Sequence, residues 1–172
     1  ALGDLVQSTG PFRAIREHHP GTRITLLTTP PFAIFMRGCP WIDDVWQDHR
    51  PQWFQVPDLL HLRRRLREGG FQRVYDLQTS SRSSHYRRAF SRGNRPDWSG
   101  VAPGASHPHA NADRDLMHTL DRQAEQLAMA GIAEVPEPDL SWVTSDVSRF
   151  ELLQSYALVV PGGSAHRPAK RW

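Results

Sequence analysis

The strongest constraint on this chain is an alternation: short β-rich runs bounded by turn residues, each followed by a stretch of helical character. Arg23–Thr28, Ile42–Trp46, Arg73–Leu77 and Trp98–Val101 read as strands. Thr29-Pro30-Pro31 starts a short helix to about Arg37, with proline where a helix has no use for the missing N–H. Leu59–Glu68 reads as a helix ended by Gly69-Gly70, and Ser80 to about Phe90 as another. A loop rich in Pro, His and Asn over 103–112 leads into a helix predicted over 115–130. Leu116, Leu120, Ala124 and Leu127 line one side of it and Gly131 ends it. The alternation implies an α/β fold, a parallel sheet with helices on both faces. Ligands of such sheets bind beyond the carboxyl ends of the strands, so chemistry is expected just after a strand.

Both ends of the sequence are abrupt. Gly3-Asp4 opens a helical stretch with Leu5, Val6, Phe12 and Ile15 on a roughly common face. Pro11 should kink or restart it, and His19-Pro20-Gly21 should stop it. No strand stands ahead of this helix. At the other end Tyr156–Val160 reads as a strand and Pro161-Gly162-Gly163-Ser164 as a turn able to meet phosphate. The chain is therefore expected to be a fragment. Residues 1–150 would form one domain truncated at its N-terminus, and 151–172 a linker plus the first strand and loop of a second. A doubly wound sheet places its first strand centrally, so its loss should leave two strands unpaired and the chain poorly stable and catalytically silent.

Composition narrows the class. With 38% hydrophobic residues and six Trp, the chain can bury a core. Its longest apolar run, Tyr156 to Val160, is far short of the roughly 20 residues a membrane helix needs. A single cysteine, Cys39, excludes a disulfide framework and a multi-cysteine zinc site, which points to a reducing, cytoplasmic setting. The net charge of +3 hides an uneven field: 63–95 hold ten Arg against Glu68 and Asp76, while 113–151 hold nine acids against three Arg. Such a field favours an anionic partner for the basic stretch, although Arg63, Arg64, Arg65 and Arg67 taken alone read as a solvated helix face.

Several residues could carry chemistry. Asp4, at a helix start, reads from position alone as a cap or dipole partner, and could also serve as a general base. The segment from Asp76 to Ser84 follows a strand and is densely polar. Gln78, Arg82 and Ser83 could cradle a polyhydroxylated anion, or Ser80 could simply cap the next helix. His107, His109 and His118 match no zinc spacing and read as a polar loop. His118 and Arg122, four residues apart, share a helix face with exposed character. The run from Pro161 to Trp172 offers glycines, Ser164 and Lys170 to phosphate oxygens, but is not a Walker A motif.

Four segments in this order and spacing resemble the bacterial heptosyltransferases of the lipopolysaccharide inner core, glycosyltransferase family nine. They are Leu2-Gly3-Asp4-Leu5-Val6 with Pro11 following, Asp76-Leu77-Gln78 to Arg82-Ser83, the His118 to Arg122 stretch, and Pro161-Gly162-Gly163-Ser164 with Pro168-Ala169-Lys170-Arg171-Trp172. The resemblance implies the GT-B architecture, two Rossmann-like domains facing a cleft. This chain would be the acceptor-side domain plus the start of the donor side. Asp4 would be the general base for inverting transfer of heptose from ADP-heptose, with no cofactor and no metal required. Gly3, Gln78, Arg82, Ser83, His118 and Arg122 would meet the acceptor, and Gly163, Ser164 and Lys170 the donor phosphates. The partners implied are a nucleotide sugar and a phosphorylated lipopolysaccharide-core acceptor, without nucleic acid, with the enzyme cytoplasmic and peripheral at the inner face of the membrane. The loop Ala102–Ala112 matches no pattern of the family, and members of it transfer other sugars. A GT-B enzyme with another donor or acceptor is thus one alternative, and a non-catalytic Rossmann-like module binding anions or RNA is a second. A nicotinamide-dependent dehydrogenase, the third, would need a G-x-G-x-x-G that does not occur.

Overall fold

The structure is a computed structural model that describes residues 2–152 and 154–159. Helices α1 (Leu2–Gln7) and α2 (Thr9–His18) meet at Ser8, where the break falls three residues ahead of Pro11. Pro11 then lies in the first turn of α2, where a missing N–H leaves no helical bond unmade. Strand β1 (Thr25–Thr28), helix α3 (Pro30–Met36) and strand β2 (Asp44–Gln47) follow. Next come α4 (Val56–Glu68), β3 (Arg73–Tyr75) and α5 (Ser81–Tyr86). Strands β4 (Asp97–Gly100) and β5 (His107–Pro108) lead to α6 (Thr119–Met129).

Among the described residues every strand pairing is parallel, but the strands form two sheets where the sequence predicts one. β1 pairs with β2, Leu26 opposite Val45, and a three-stranded sheet runs β3-β4-β5, with Val74 opposite Trp98. No ladder joins β1 to β3. Both carry side chains that are only half-buried, whereas Trp98, Ser99 and Gly100 of β4 are buried.

Alternation along the strands sends successive side chains to opposite faces. Leu26 of β1 packs with Phe12 of α2 and Met36 of α3, while Leu27 joins Leu66 of α4, Phe90 and Trp98. Tyr75 of β3 packs with Ile15 of α2 and Leu127 of α6, while Val74 joins the α4 side. Helices α2, α3 and α6 therefore cover one face, and α4 and α5 the other. The result is a mixed α/β fold with small parallel sheets. Beyond α6 the segment 132–142 returns across α2, and Asp139 N–H donates to Thr9 Oγ1 at 3.1 Å. It passes so close to Gly10 that a Cβ there would lie 2.1 Å from the Pro136 carbonyl oxygen. Trp142 closes the strap against Phe35, with ring centroids 5.4 Å apart.

Three further sequence expectations change. The helix predicted over 115–130 starts at Thr119, because His118 takes an extended cap conformation and Asn111 Oδ1 holds the preceding turn through the Asp113 N–H. Leu116 consequently lies outside the helix at 86% exposure, while the rest of the predicted apolar line, Leu120, Ala124 and Leu127, remains within it. Strand β5 falls inside the predicted loop. Tyr156–Val159 form no strand and are exposed, since no described strand offers them backbone partners; Val160 lies outside the described residues.

Candidate functional site

The carboxyl ends of β3, β4 and β5 converge on a buried polar cluster under α6. Asp76, one residue beyond β3, donates its backbone N–H to Ser99 O at 2.8 Å. Its side-chain Oδ1 accepts from the Thr79 N–H at 3.0 Å, which turns the chain sharply and holds Thr79 at a φ of 48°. Asp76 Oδ2 is buried with no hydrogen-bond partner among the described residues. Burial pushes the Asp76 carboxyl above its ordinary range, opposed by the Ser83 hydroxyl, the amides of Thr79 and Gln78, and the Arg114 charge. Gly100 at the end of β4 has a φ of 148°, and a Cβ there would stand 3.0 Å from Asp76 Cβ, so this crossing requires glycine.

Helix α6 closes the cluster. Gln126 Nε2 lies 3.1 Å from Asp76 O and 3.3 Å from Ser99 O, tying the helix to two strands. The His109 N–H donates to Gly100 O at 3.0 Å, extending the pairing beyond β5. The His109 side chain is wholly buried, with Nε2 3.4 Å from Glu125 Oε2. Asn111 Nδ2 donates to the same carboxylate at 2.9 and 3.0 Å, and Arg114 donates to Thr79 Oγ1 at 2.5 Å. A carboxyl with raised proton affinity, a buried imidazole and a half-buried arginine thus share one edge. Among the described residues no three His, Cys, Asp or Glu side chains gather as a metal would require.

The residues singled out in the sequence arrive here in three groups. Gly3 and Asp4 are exposed in the first turn of α1. A relay ties that helix to α6: Gln123 Nε2 donates to Ser8 Oγ at 2.8 Å, and Ser8 Oγ donates to the Asp4 carbonyl oxygen at 2.8 Å. His118 and Arg122 lie at the start of α6. His118 stands ahead of the helix as its cap, accepting weakly from the Leu120 N–H at 3.4 Å, so the predicted shared helix face does not form. Gln78, Arg82 and Ser83 form the third group. Gln78 is exposed and Arg82 half-buried. Ser83 is buried, its hydroxyl accepting from Ser80 N–H at 3.0 Å while its own N–H donates to Ser80 Oγ at 3.1 Å, a reciprocal cap that starts α5. Gly163, Ser164 and Lys170 lie outside the described residues.

Much of the basic stretch is already committed. Arg65 stacks 4.1 Å over the Trp46 ring, Arg67 Nε donates to Ala89 O at 2.6 Å, and Arg73 pairs with Asp97 at 3.3 Å. Arg87 donates to Pro103 O at 3.0 Å. The Tyr86 hydroxyl donates to Asp48 Oδ2 at 2.6 Å, and burial followed by this bond raises its pKa, while Arg82 nearby lowers it. Asp48 begins the loop after β2, so this contact ties that loop to the end of α5. A hollow lined by Arg16, Gly21, Thr22, Arg23 and Asp43 lies at the amino end of β1, where Arg16 pairs with Asp43 and Arg23 with Asp44. Its charges are spent on each other.

Sequence reasoning missed Glu125, Asn111, Arg114 and Gln126, and set His109 aside as loop. The one available signal was Asp76 itself, placed after a strand. Comparison of the chain with protein-family models, with curated proteins and with solved structures finds no match.

Proposed function

We propose that the chain is the acceptor-side part of a GT-B glycosyltransferase, moving a heptose or related sugar from an ADP-sugar to a phosphorylated inner-core acceptor with inversion. The observation that carries this reading is the location of the polar residues. Asp76, Gln78, Arg82 and the cluster around His109 lie at the carboxyl ends of parallel strands, where α/β enzymes bind ligands. The exposed Asp4 side chain stands on α1, which α6 holds beside that cluster.

In this mechanism the Asp4 carboxylate takes the proton of an acceptor hydroxyl as its oxygen attacks the anomeric carbon. The bond from that carbon to the ADP oxygen breaks on the opposite side, and ADP leaves with the bonding pair. Arg82 and the exposed Arg63 and Arg64 would meet acceptor phosphates, and Gly163, Ser164 and Lys170 the departing diphosphate. The aromatics of the basic stretch favour a sugar-phosphate partner over RNA. Phe71, Tyr86 and Phe90 pack in the α4-side core and Tyr75 in the α2 and α6 core, Phe90 buried and the other three half-buried, so none of them stands out as a base-stacking platform.

The test is Asp4→Asn in the intact enzyme, assayed with ADP-heptose and a phosphorylated acceptor. Turnover should fall by at least about 10²-fold with donor affinity spared. Turnover near that of the wild type would sink the assignment of the base.

A further inference from the structure

We infer that the loop after β2 and the outer face of α4 form a docking surface for an anionic lipid bilayer. Trp53 and Phe54 stand at the tip of this loop at 84% and 64% exposure, their rings in edge contact with centroids 5.8 Å apart. Val56 and Leu60, four residues apart on one face of α4, continue the patch at 53% and 57% exposure. The opposite face of the same helix buries Leu66 and packs Leu62 against the core, so the outer residues are not needed for folding.

The charge beside the patch selects the occupant. One turn beyond Leu60 the same exposed face carries Arg63 and Arg64, and Arg50 is exposed at the base of the loop. Of the acids on α4, Glu68 lies 3.6 Å from Arg64 and Asp58 lies in the first turn, where the helix dipole favours it. An aromatic and aliphatic tip bordered by arginines matches an interface between acyl chains and anionic headgroups, where indole rings settle and each basic residue adds affinity. A second copy of the chain fits poorly, because a two-fold contact through this patch would set one arginine row against the other. The loop leaves the carboxyl end of β2, and Asp48 at its start holds Tyr86 of α5. Through Tyr86 the docked surface borders α5, the helix that follows the Asp76 turn.

The inference rests in part on the transferase reading, which gives Arg63 and Arg64 to acceptor phosphates and places the enzyme at a membrane face, but its test uses no sugar, so the two can fail separately. The chain is sedimented with phosphatidylcholine vesicles with and without phosphatidylglycerol. Binding is expected to the anionic vesicles and to weaken with added salt. W53S/F54S should lower that affinity at least about tenfold, and R63A/R64A about fivefold per arginine removed. Because all four side chains are exposed, the far-ultraviolet spectra should match the wild type, and W53A alone serves if the double variant does not fold. Equal binding to both vesicle types would overturn the proposal, as would anionic binding unchanged in W53S/F54S. Self-association lost in that variant, without vesicle binding, would assign the patch to a second copy and equally overturn it.

Discussion

Exchanging the Gln126 amide for a carboxyl, Gln126→Glu, hardly changes volume but inverts the hydrogen bonding that ties α6 to the strands. The Gln126 Nε2 faces three acceptors, Asp76 O at 3.1 Å and the Ser99 carbonyl and hydroxyl oxygens at 3.3 Å. An amide nitrogen carries two hydrogens, so two bonds at most are made at once. At about 0.5–1.5 kcal/mol each, their loss costs about 1–3 kcal/mol. An ionised carboxylate held against carbonyl oxygens in a dry site costs more, but protonation sets a bound. At about 1.36 kcal/mol per pH unit above an ordinary Glu pKa of about 4.3, that bound is about 3.7 kcal/mol at pH 7 and vanishes near pH 4. The variant should therefore lose up to about 5–6 kcal/mol at pH 7, that bound added to the cost of the protonated form, a large share of the roughly 5–15 kcal/mol typical of a domain. At pH 4 it should lose only about 1–2 kcal/mol, since a protonated carboxyl can restore one donor. Urea unfolding followed by circular dichroism, wild type against variant at both pH values, measures this. An equal penalty at pH 4 and pH 7 would refute the reasoning, because the introduced group would then be reaching water or a cation.

Three further outcomes follow from the same geometry. Leu127 is wholly buried with Ala14, Ile15 and Ile132, so Leu127→Ala should cost about 2–5 kcal/mol and lower Tm by about 2–4 °C per kcal/mol; a shift under about 3 °C would show that α6 packs loosely. Burial raises the Asp76 carboxyl above its ordinary 3.8, so the folded state binds that proton more tightly than the unfolded one. This contribution is fully present below the unfolded pKa and is lost as pH rises through the folded value, so the wild type should lose stability over that span relative to Asp76→Asn, and parallel pH profiles would contradict it. Cys39 is buried beside Met36 and Phe12, and burial raises its thiol, so a thiol reagent should label it far more slowly in the native chain than in urea. Rapid native labelling would mean that this cluster opens readily.

What could be read in the sequence was whatever local chemistry announces. Thr25–Thr28 and Arg73–Tyr75 are β-rich runs closed by turn residues, and both fold as parallel strands. Strand β5 has no such signature: a His-Pro pair becomes a strand only because β4 lies beside it. The start of α6 was misread because Leu116 continues a helical spacing that the Asn111 turn and the His118 cap interrupt. Gln123 and Gln126 are polar by composition yet occupy the inner face of their helix, where their amides serve Ser8 and the strand carbonyls. Hydropathy assigns such residues to the surface. The candidate site was legible only in part, because Asp76 is marked by its position after a strand while His109 and Glu125 join it across long stretches of chain.

The break between β1 and β3 governs how the molecule loses its structure. Within each sheet, backbone bonds such as Asp76 N–H to Ser99 O cooperate along a ladder, so its strands separate together. Between the sheets the attachments among the described residues are side-chain ones: Leu26 and Leu77 in one cluster, and Leu27 and Val74 in another. These can yield one cluster at a time, without a ladder to hold them in step. The half built on β3-β4-β5 and clasped by Gln126 therefore forms one cooperative block, and the β1-β2 half with α3 another. Sub-global opening along this seam should lie at lower free energy than complete unfolding, and it should separate the amides of β1 from those of β4 in their protection against hydrogen exchange.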